Sequence, residues 1–259
     1  MQIDRGVVGV GLGPRNRIRE DERQRVLDAA ARLQLHRSEL AAAVARGEQS
    51  ALLVARGADG VNRWMFAEIP QWRELHSIRP AATATQLRVS LPTNRAHVAR
   101  GLKMVSIFAA DGLDVEARLL LAHEEKGEYL LSVAPVQMKI VDRKSVLLDG
   151  PMLGDEVTIL RVTAPPVLEA AWRYWDAAVA CALPPDDGLG RFGEITPRQH
   201  QVVALLANGA NDDAIAAALD VSVRTVRSDV AAILDALNVR TRFAAGMRLQ
   251  LWSDGTTPS

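Results

Sequence analysis

Residues 195–247 read ITPRQHQVVALLANGANDDAIAAALDVSVRTVRSDVAAILDALNVRTRFAAGM, and their spacing predicts four short helices. Thr196-Pro197-Arg198-Gln199 opens the first: a Thr N-cap, a Pro at the first helical position and a Gln three residues after the Thr form a capping box. Val202, Val203, Leu205 and Leu206 follow, and Asn208-Gly209 ends the run because Gly enters the left-handed region freely. A second helix, about Asn211 to Leu219, buries Ile215 and Leu219 among alanines. Asp220-Val221-Ser222 makes a tight turn. Ser222 then caps a third helix whose Val226, Val230, Ile233 and Leu237, spaced four, three and four, face inward. Asn238 closes it, and Arg240, Thr241 and Arg242 start a fourth helix carrying Phe243, Met247 and Leu251 at four-residue spacing.

Two short helices joined by a turn of about three residues are the helix-turn-helix plan. With the inward stripe fixed, Val223, Arg224, Arg227 and Ser228 point outward from the start of the third helix, with Thr225 at the edge. A recognition helix presents this end to base edges. Arg grips guanine bidentately, Ser and Thr bond bases or phosphates, and Val touches a thymine methyl. Arg198, Arg240 and Arg242 complete the candidate contacts with double-stranded DNA. The charge is unusual for that task, since Arg198, Arg224, Arg227, Arg240 and Arg242 are matched by Asp212, Asp213, Asp220, Asp229 and Asp235. Non-specific affinity comes mainly from neutralising phosphates. The segment is therefore expected to bind random DNA poorly and to rely on dimerisation, specific contacts or a partner.

Over residues 195 to 245 the pattern resembles the LuxR/GerE-type helix-turn-helix family. Thr196, Arg198, Gly209, Asn211, Ile215, Ala216, Leu219, Ser222, Thr225, Val226, Arg227, Leu237, Val239 and Arg242 fall in register with it. The resemblance implies a third helix in the major groove and a fourth helix that commonly forms a homodimer seam. Phe243, Met247 and Leu251 are then seam candidates, though a helix returning onto its own bundle accounts for them nearly as well. Gln199, Ala210, Asp212, Asp229, Ala231 and Ala236 depart from the family pattern. Losing a capping Ser at Ala210 costs ~1 kcal/mol unless Asn211 caps one residue later.

The whole chain has 259 residues, 48% hydrophobic, with zero formal net charge and one cysteine, Cys181. That length holds about two domains. A single cysteine excludes an internal disulfide framework and suits a reducing cytoplasm. No apolar run approaches the ~20 residues that span a bilayer. Residues 1–20 lack a signal-peptide core and read as a loose tail; Gly9, Gly11 and Gly13 are spaced wrongly for a dinucleotide fingerprint. From Asp21 to Arg46 a helix is expected, with Val26, Ala30, Leu33, Arg37, Leu40 and Val44 at heptad-like spacing. It lies on its own domain or pairs with a second copy. Gln86 to Leu91 alternates with period two and reads as a strand ending at Pro92. Lys103–Phe108 reads as another strand, and Leu113–Lys126 as helical. Strands at Tyr129–Val133 and Met138–Val141 follow, the latter in a hairpin with Val146–Leu148. Val157–Val162 is the last strand and Val167–Leu183, with Trp172 and Trp175, a closing helix; Pro184 to Gly190 is linker-like.

This middle resembles, more loosely, the degenerate phospholipase-D-like effector domain of TrmB-type regulators. The segments Gly101–Phe108, Val136–Lys144 and Thr158–Pro184 carry the likeness. Where an active enzyme of that kind has His-x-Lys, this chain has Gln137-Met138-Lys139, and an amide cannot be the nucleophile. The resemblance implies no catalytic residue and leaves Lys139 as an anion contact, a solvated strand lysine being the simpler account. Trp64 and Trp72 are candidate pocket residues, with core packing as the plainer role. The five histidines show no metal-ligand spacing, so neither metal nor cofactor is expected.

The expected fold class is α+β: a tail at 1–20, a mixed α/β effector or interaction domain at 21–183, a linker at 184–193, and an all-α four-helix LuxR-type domain at 194–254. The expected function is a cytoplasmic, non-enzymatic, sequence-specific transcription regulator, binding an inverted repeat as a homodimer. Its N-terminal domain takes a small-molecule effector or docks a protein. The alternative is a protein-interaction module acting on RNA polymerase or an antagonist, with weak DNA contact.

Overall fold

The computed structural model describes residues 18–48, 51–187, 195–207 and 209–253. The expected tail up to residue 17, with its glycines, and most of the expected linker lie outside the described residues. Helix α1 (Glu20–Ala45) starts with Glu20, Asp21 and Glu22, acids that suit the positive end of the helix dipole. Then come β1 (Leu52–Arg56), α2 (Ala58–Glu68), β2 (Glu74–Arg79), α3 (Ala84–Ala99), β3 (Lys103–Ala109) and α4 (Val115–Ala122). After these follow β4 (Glu128–Ser132), β5 (Met138–Val141), β6 (Ser145–Asp149), β7 (Thr158–Val162) and α5 (Pro165–Ala180). The last four helices are α6 (Pro197–Ala207), α7 (Asp212–Leu219), α8 (Val223–Ala236) and α9 (Arg242–Ser253).

The strands form one mixed sheet in the order β1-β7-β6-β5-β2-β3-β4. Strands β2, β3 and β4 run parallel, joined by α3 and α4, while the other neighbours pair antiparallel. Each sheet face carries its own core. On one, α1 and α5 lie over Ile78, Ile107, Met138, Ile140, Val146, Leu148, Leu160 and Val162. On the other, Leu75, Met104, Phe108, Leu131, Val141 and Leu147 meet Leu87 and Leu91 of α3 and Leu113, Ala117 and Leu121 at α4. Of the heptad-like positions of α1, Val26, Ala30 and Leu33 are buried and Leu40 and Val44 pack partly, all in the first core. The helix lies on its own domain.

One expectation is overturned. Gln86–Leu91 is not a strand but the middle of α3, where Leu87 and Leu91, four apart, are buried while Val89 is 73% exposed. Alternation over six residues misled because positions 87 and 91 satisfy both periods. The helix begins at a capping box, with the Thr83 hydroxyl accepting from the Gln86 backbone N–H and the Gln86 side chain accepting from the Thr83 N–H. Pro92 does not end it but sits inside it. The parallel strand that α3 follows is β2, a segment the sequence left unassigned along with β1 and α2.

Candidate nucleic-acid interface

Each expected cap of the C-terminal domain forms. The Thr196 hydroxyl accepts from the Gln199 backbone N–H at 3.3 Å, and the Gln199 side chain accepts from the Thr196 N–H at 2.8 Å. The Asn211 side chain accepts from the Ala214 N–H at 2.9 Å, supplying the cap that Ala210 cannot. Asp220 ends α7 in the left-handed region at φ 52°, a conformation that short polar side chains tolerate. Ser222 caps α8 through the Thr225 N–H at 3.1 Å. Two helices are thereby locked across a three-residue turn. Val226, Val230, Ile233 and Leu237 are all buried, together with Ile195, Val202, Val203, Ile215, Ala216 and Ala245.

The opposite side of the α8 start is a shallow concavity lined by Val223, Arg224, Arg227 and Ser228. Arg224, Arg227 and Ser228 are exposed, and Thr225, at the edge, is half-buried. The five arginines divide into two sets. Arg198 grips the buried carboxylate of Asp229 through two hydrogen bonds at 2.7 and 3.1 Å, which raises its already high pKa. Arg242 and Arg227 converge on Asp212, at 2.8 and 3.3 Å, and the hydrogen bonds from Arg242 and then Arg227 hold that carboxyl below the usual range. Arg224 and Arg240 have no ion pair among the described residues. The sequence placed all five on the nucleic-acid face but did not foresee that two aspartates hold three of them. The signal was there in part, since Asp212 and Asp229 both replace residues usual in the family pattern.

On α9, Ala245 is buried and Leu249 packs against the same core, whereas Phe243 is 80% and Met247 50% exposed. Those two do not fold back onto the bundle. The side chain of Leu251 is outside what is described.

The C-terminal domain also touches the sheet domain. Helix α4 packs against α6 and α9, with Leu119 buried in the helical core. The rings of His123 and His200 meet edge to face at 4.4 Å between centroids. Burial, with His123 adding to it, pulls the pKa of His200 down to about 4, and its Nε2 is buried with no partner among the described residues. Beside them the Arg118 guanidinium donates to the carbonyls of Pro185 and Asp187, tying the last described residues of the sheet domain to α4.

The sequence matches the family described as bacterial regulatory proteins, luxR family, over residues 194–248. Residues 194–248 are a luxR-family helix-turn-helix domain. No curated protein matches the chain. A solved structure described as that of TrmBL2, "an archaeal chromatin protein" with "a novel mode of DNA binding", is 16% identical over 63% of this chain, with a TM-score of 0.39. The match spans 66% of that protein, just under two thirds of its length. In the sheet domain, Trp72 belongs to the core beneath α3 and Trp64 packs against it, with ring centroids 6.4 Å apart. Gln137 donates to the Asp149 carboxylate at 3.2 Å. Among the described residues no group of three or more His, Cys, Asp or Glu is arranged to hold a metal, and no helix is long and apolar enough to cross a membrane.

Proposed function

We propose that this chain is a sequence-specific transcription regulator that binds an inverted repeat as a homodimer under control of its sheet domain. The observation that carries the reading is the start of α8: one side is fixed in the core by Val226 and Val230, and the other exposes Arg224, Arg227 and Ser228 beside the half-buried Val223. This is the end that a recognition helix inserts. The exposed pair Phe243 and Met247, four residues apart on one face of α9, supports a seam with a second copy. Leu119 and the histidine contact support control, because any ligand that shifts α4 changes what α6 and α9 pack against. Gln137 in place of a nucleophilic histidine, already engaged by Asp149, supports a sensor without turnover.

Selection of bound duplexes from a random pool, followed by footprinting with the full chain, tests this. The expected result is a recurrent inverted repeat with both half-sites protected together. One observation favours the rival reading: the domain's arginines and aspartates balance, and three arginines are already paired. A helix-turn-helix neutralised in this way also suits contact with RNA polymerase or an antagonist protein. Recovery of no preferred sequence by the selection makes that the better account.

A further inference from the structure

Two half-buried cations of the sheet domain have no ion pair among the described residues. Arg79 is the last residue of β2, and Lys139 lies in β5, its antiparallel neighbour, directly opposite Ser77. Side chains alternate along a strand and agree across a register pair, so Ser77, Arg79 and Lys139 share one face of the sheet. It is the face of Phe108, over whose ring the Arg79 guanidinium lies at 5.3 Å from the centroid. Next to them the Ser77 hydroxyl donates to that of Ser106 at 2.8 Å, and Gln137 and Asp149 close the row. Among the described residues neither the Lys139 ammonium nor the Arg79 guanidinium has a hydrogen bond or an ion pair. Both keep some contact with solvent. Even so, burial pulls the Lys139 pKa down to about 8, with Arg79 adding to the fall and Asp149 opposing it. Burial lowers that of Arg79 as well.

Burying one charge costs several kcal/mol unless it is paired, and two like charges side by side add repulsion. Half-burying two on one sheet face, with Asp149 turned to Gln137, is a poor way to build a core. The location is instead one where ligands gather: the carboxyl ends of parallel strands β2 and β3, just before the loops that enter α3 and α4. Those loops press together so closely that a Cβ on Gly112 would lie 1.9 Å from the Pro80 carbonyl oxygen. Anything bound at Arg79 therefore adjoins the loop that enters α4, the helix whose Leu119 reaches the helix-turn-helix core.

We propose that Arg79 and Lys139, with the hydroxyls of Ser77 and Ser106, bind a compact dianion of the phosphate-monoester class. This rests on the reading of the sheet domain as the controlling part. Two adjacent cations match two charges on one centre better than the spaced charges of a dicarboxylate. An Arg fork and a Lys point charge are the residue types that hold phosphate oxygens. Gln137 and Asp149 are placed to meet hydroxyls on the ester's organic part.

Thermal melting of the full chain with millimolar inorganic phosphate, glycerol phosphate, glycerol or succinate provides the test, with DNA binding measured on the same preparations. Both phosphates are expected to raise the midpoint by about 2 °C or more, and glycerol and succinate to leave it unchanged. Arg79→Gln and Lys139→Met should each abolish the rise, and Lys139→Arg should retain part of it. Lys139→Met should also melt higher than the parent chain without ligand, because it relieves the buried repulsion. No rise with either phosphate, a rise that survives both neutralising variants, or an equal rise with succinate overturns the site. A chain that binds its DNA but ignores phosphate loses this site alone, whereas one that binds no DNA loses the regulator reading.

Discussion

The two domains treat their cations in opposite ways. In the helix-turn-helix domain Arg198, Arg227 and Arg242 are each held by an aspartate, and those arginines are 48–72% exposed. In the sheet domain Arg79 and Lys139 are half-buried, and among the described residues no carboxylate lies within ion-pair distance of either. The pairs of Arg227 and Arg242 with Asp212 lie nearer the surface, where such pairs are worth ~0–1 kcal/mol and exchange easily for phosphates, whereas releasing Arg198 would strand the buried Asp229 carboxylate. Half-buried cations without a counter-charge are costly, and an incoming anion relieves that cost. On the proposed reading, Arg227 and Arg242 exchange Asp212 for phosphates when the domain meets DNA, the sheet domain gains an anion, and α4 packs between the two.

The largest effect should come from cutting that join. Leu119→Ala empties a buried site shared by both domains and is expected to cost ~2–4 kcal/mol, read by chemical denaturation as loss of a single transition. A change below about 0.5 kcal/mol would mean that the domains melt independently and that α4 transmits nothing. Next is the seam. Met247→Glu puts a charge on the exposed face of α9 and should weaken binding to an inverted repeat about tenfold, ~1.4 kcal/mol, without altering the melting point. Light scattering that finds a monomer in the parent chain, still footprinting two half-sites independently, removes the seam altogether.

Releasing the paired arginines is expected to do less, and in the opposite direction. Asp212→Asn frees Arg227 and Arg242, so affinity for random duplexes should rise by ~1 kcal/mol and the salt slope steepen by ~1 per subunit. Preference for the cognate site falls accordingly. An unchanged random-DNA affinity would show that Asp212 serves α7 and not the interface.

At neutral pH the titration of the joint has the least effect, and it grows only in acid. His200 is buried with a pKa near 4 against an ordinary 6.5, so the unfolded chain binds a proton through this window that the folded chain does not. Stability should therefore decline as pH falls from about 6.5 toward 4 and be retained above it. His200→Gln should flatten the decline, and an identical pH profile in both chains assigns the decline to other groups.

Legibility differed between the domains for a physical reason. Helix ends in residues 195–247 are marked by local chemistry, Thr196 with Gln199, Asn211, and Ser222 with Thr225, so short windows of sequence sufficed. The same signal, Thr83 with Gln86, marks α3, but the alternation that follows it reads as a strand and hid it. Strand β2 went unassigned because Glu74, His76, Ser77 and Arg79 break the apolar run that a strand covered on both faces usually shows. The outward positions Val223, Arg224, Arg227 and Ser228 followed from the inward stripe alone. The pairing of Arg198 with Asp229, thirty-one residues away, and the placing of Arg79 and Lys139 on one face of neighbouring strands depend on tertiary structure, which periodicity does not report.

The most direct test of the first turn of α8 as the reading head is to measure Arg224→Ala and Arg227→Ala on cognate and scrambled duplexes at several salt concentrations. Arg224, in the first turn and with no ion pair among the described residues, should lose ~1–3 kcal/mol on the cognate site alone and relax preference at one or two base pairs. Arg227 should weaken both duplexes more evenly and make the salt slope shallower by ~1 per subunit. Unchanged cognate affinity in both variants would contradict the account, and α8 would then be a surface for protein contact.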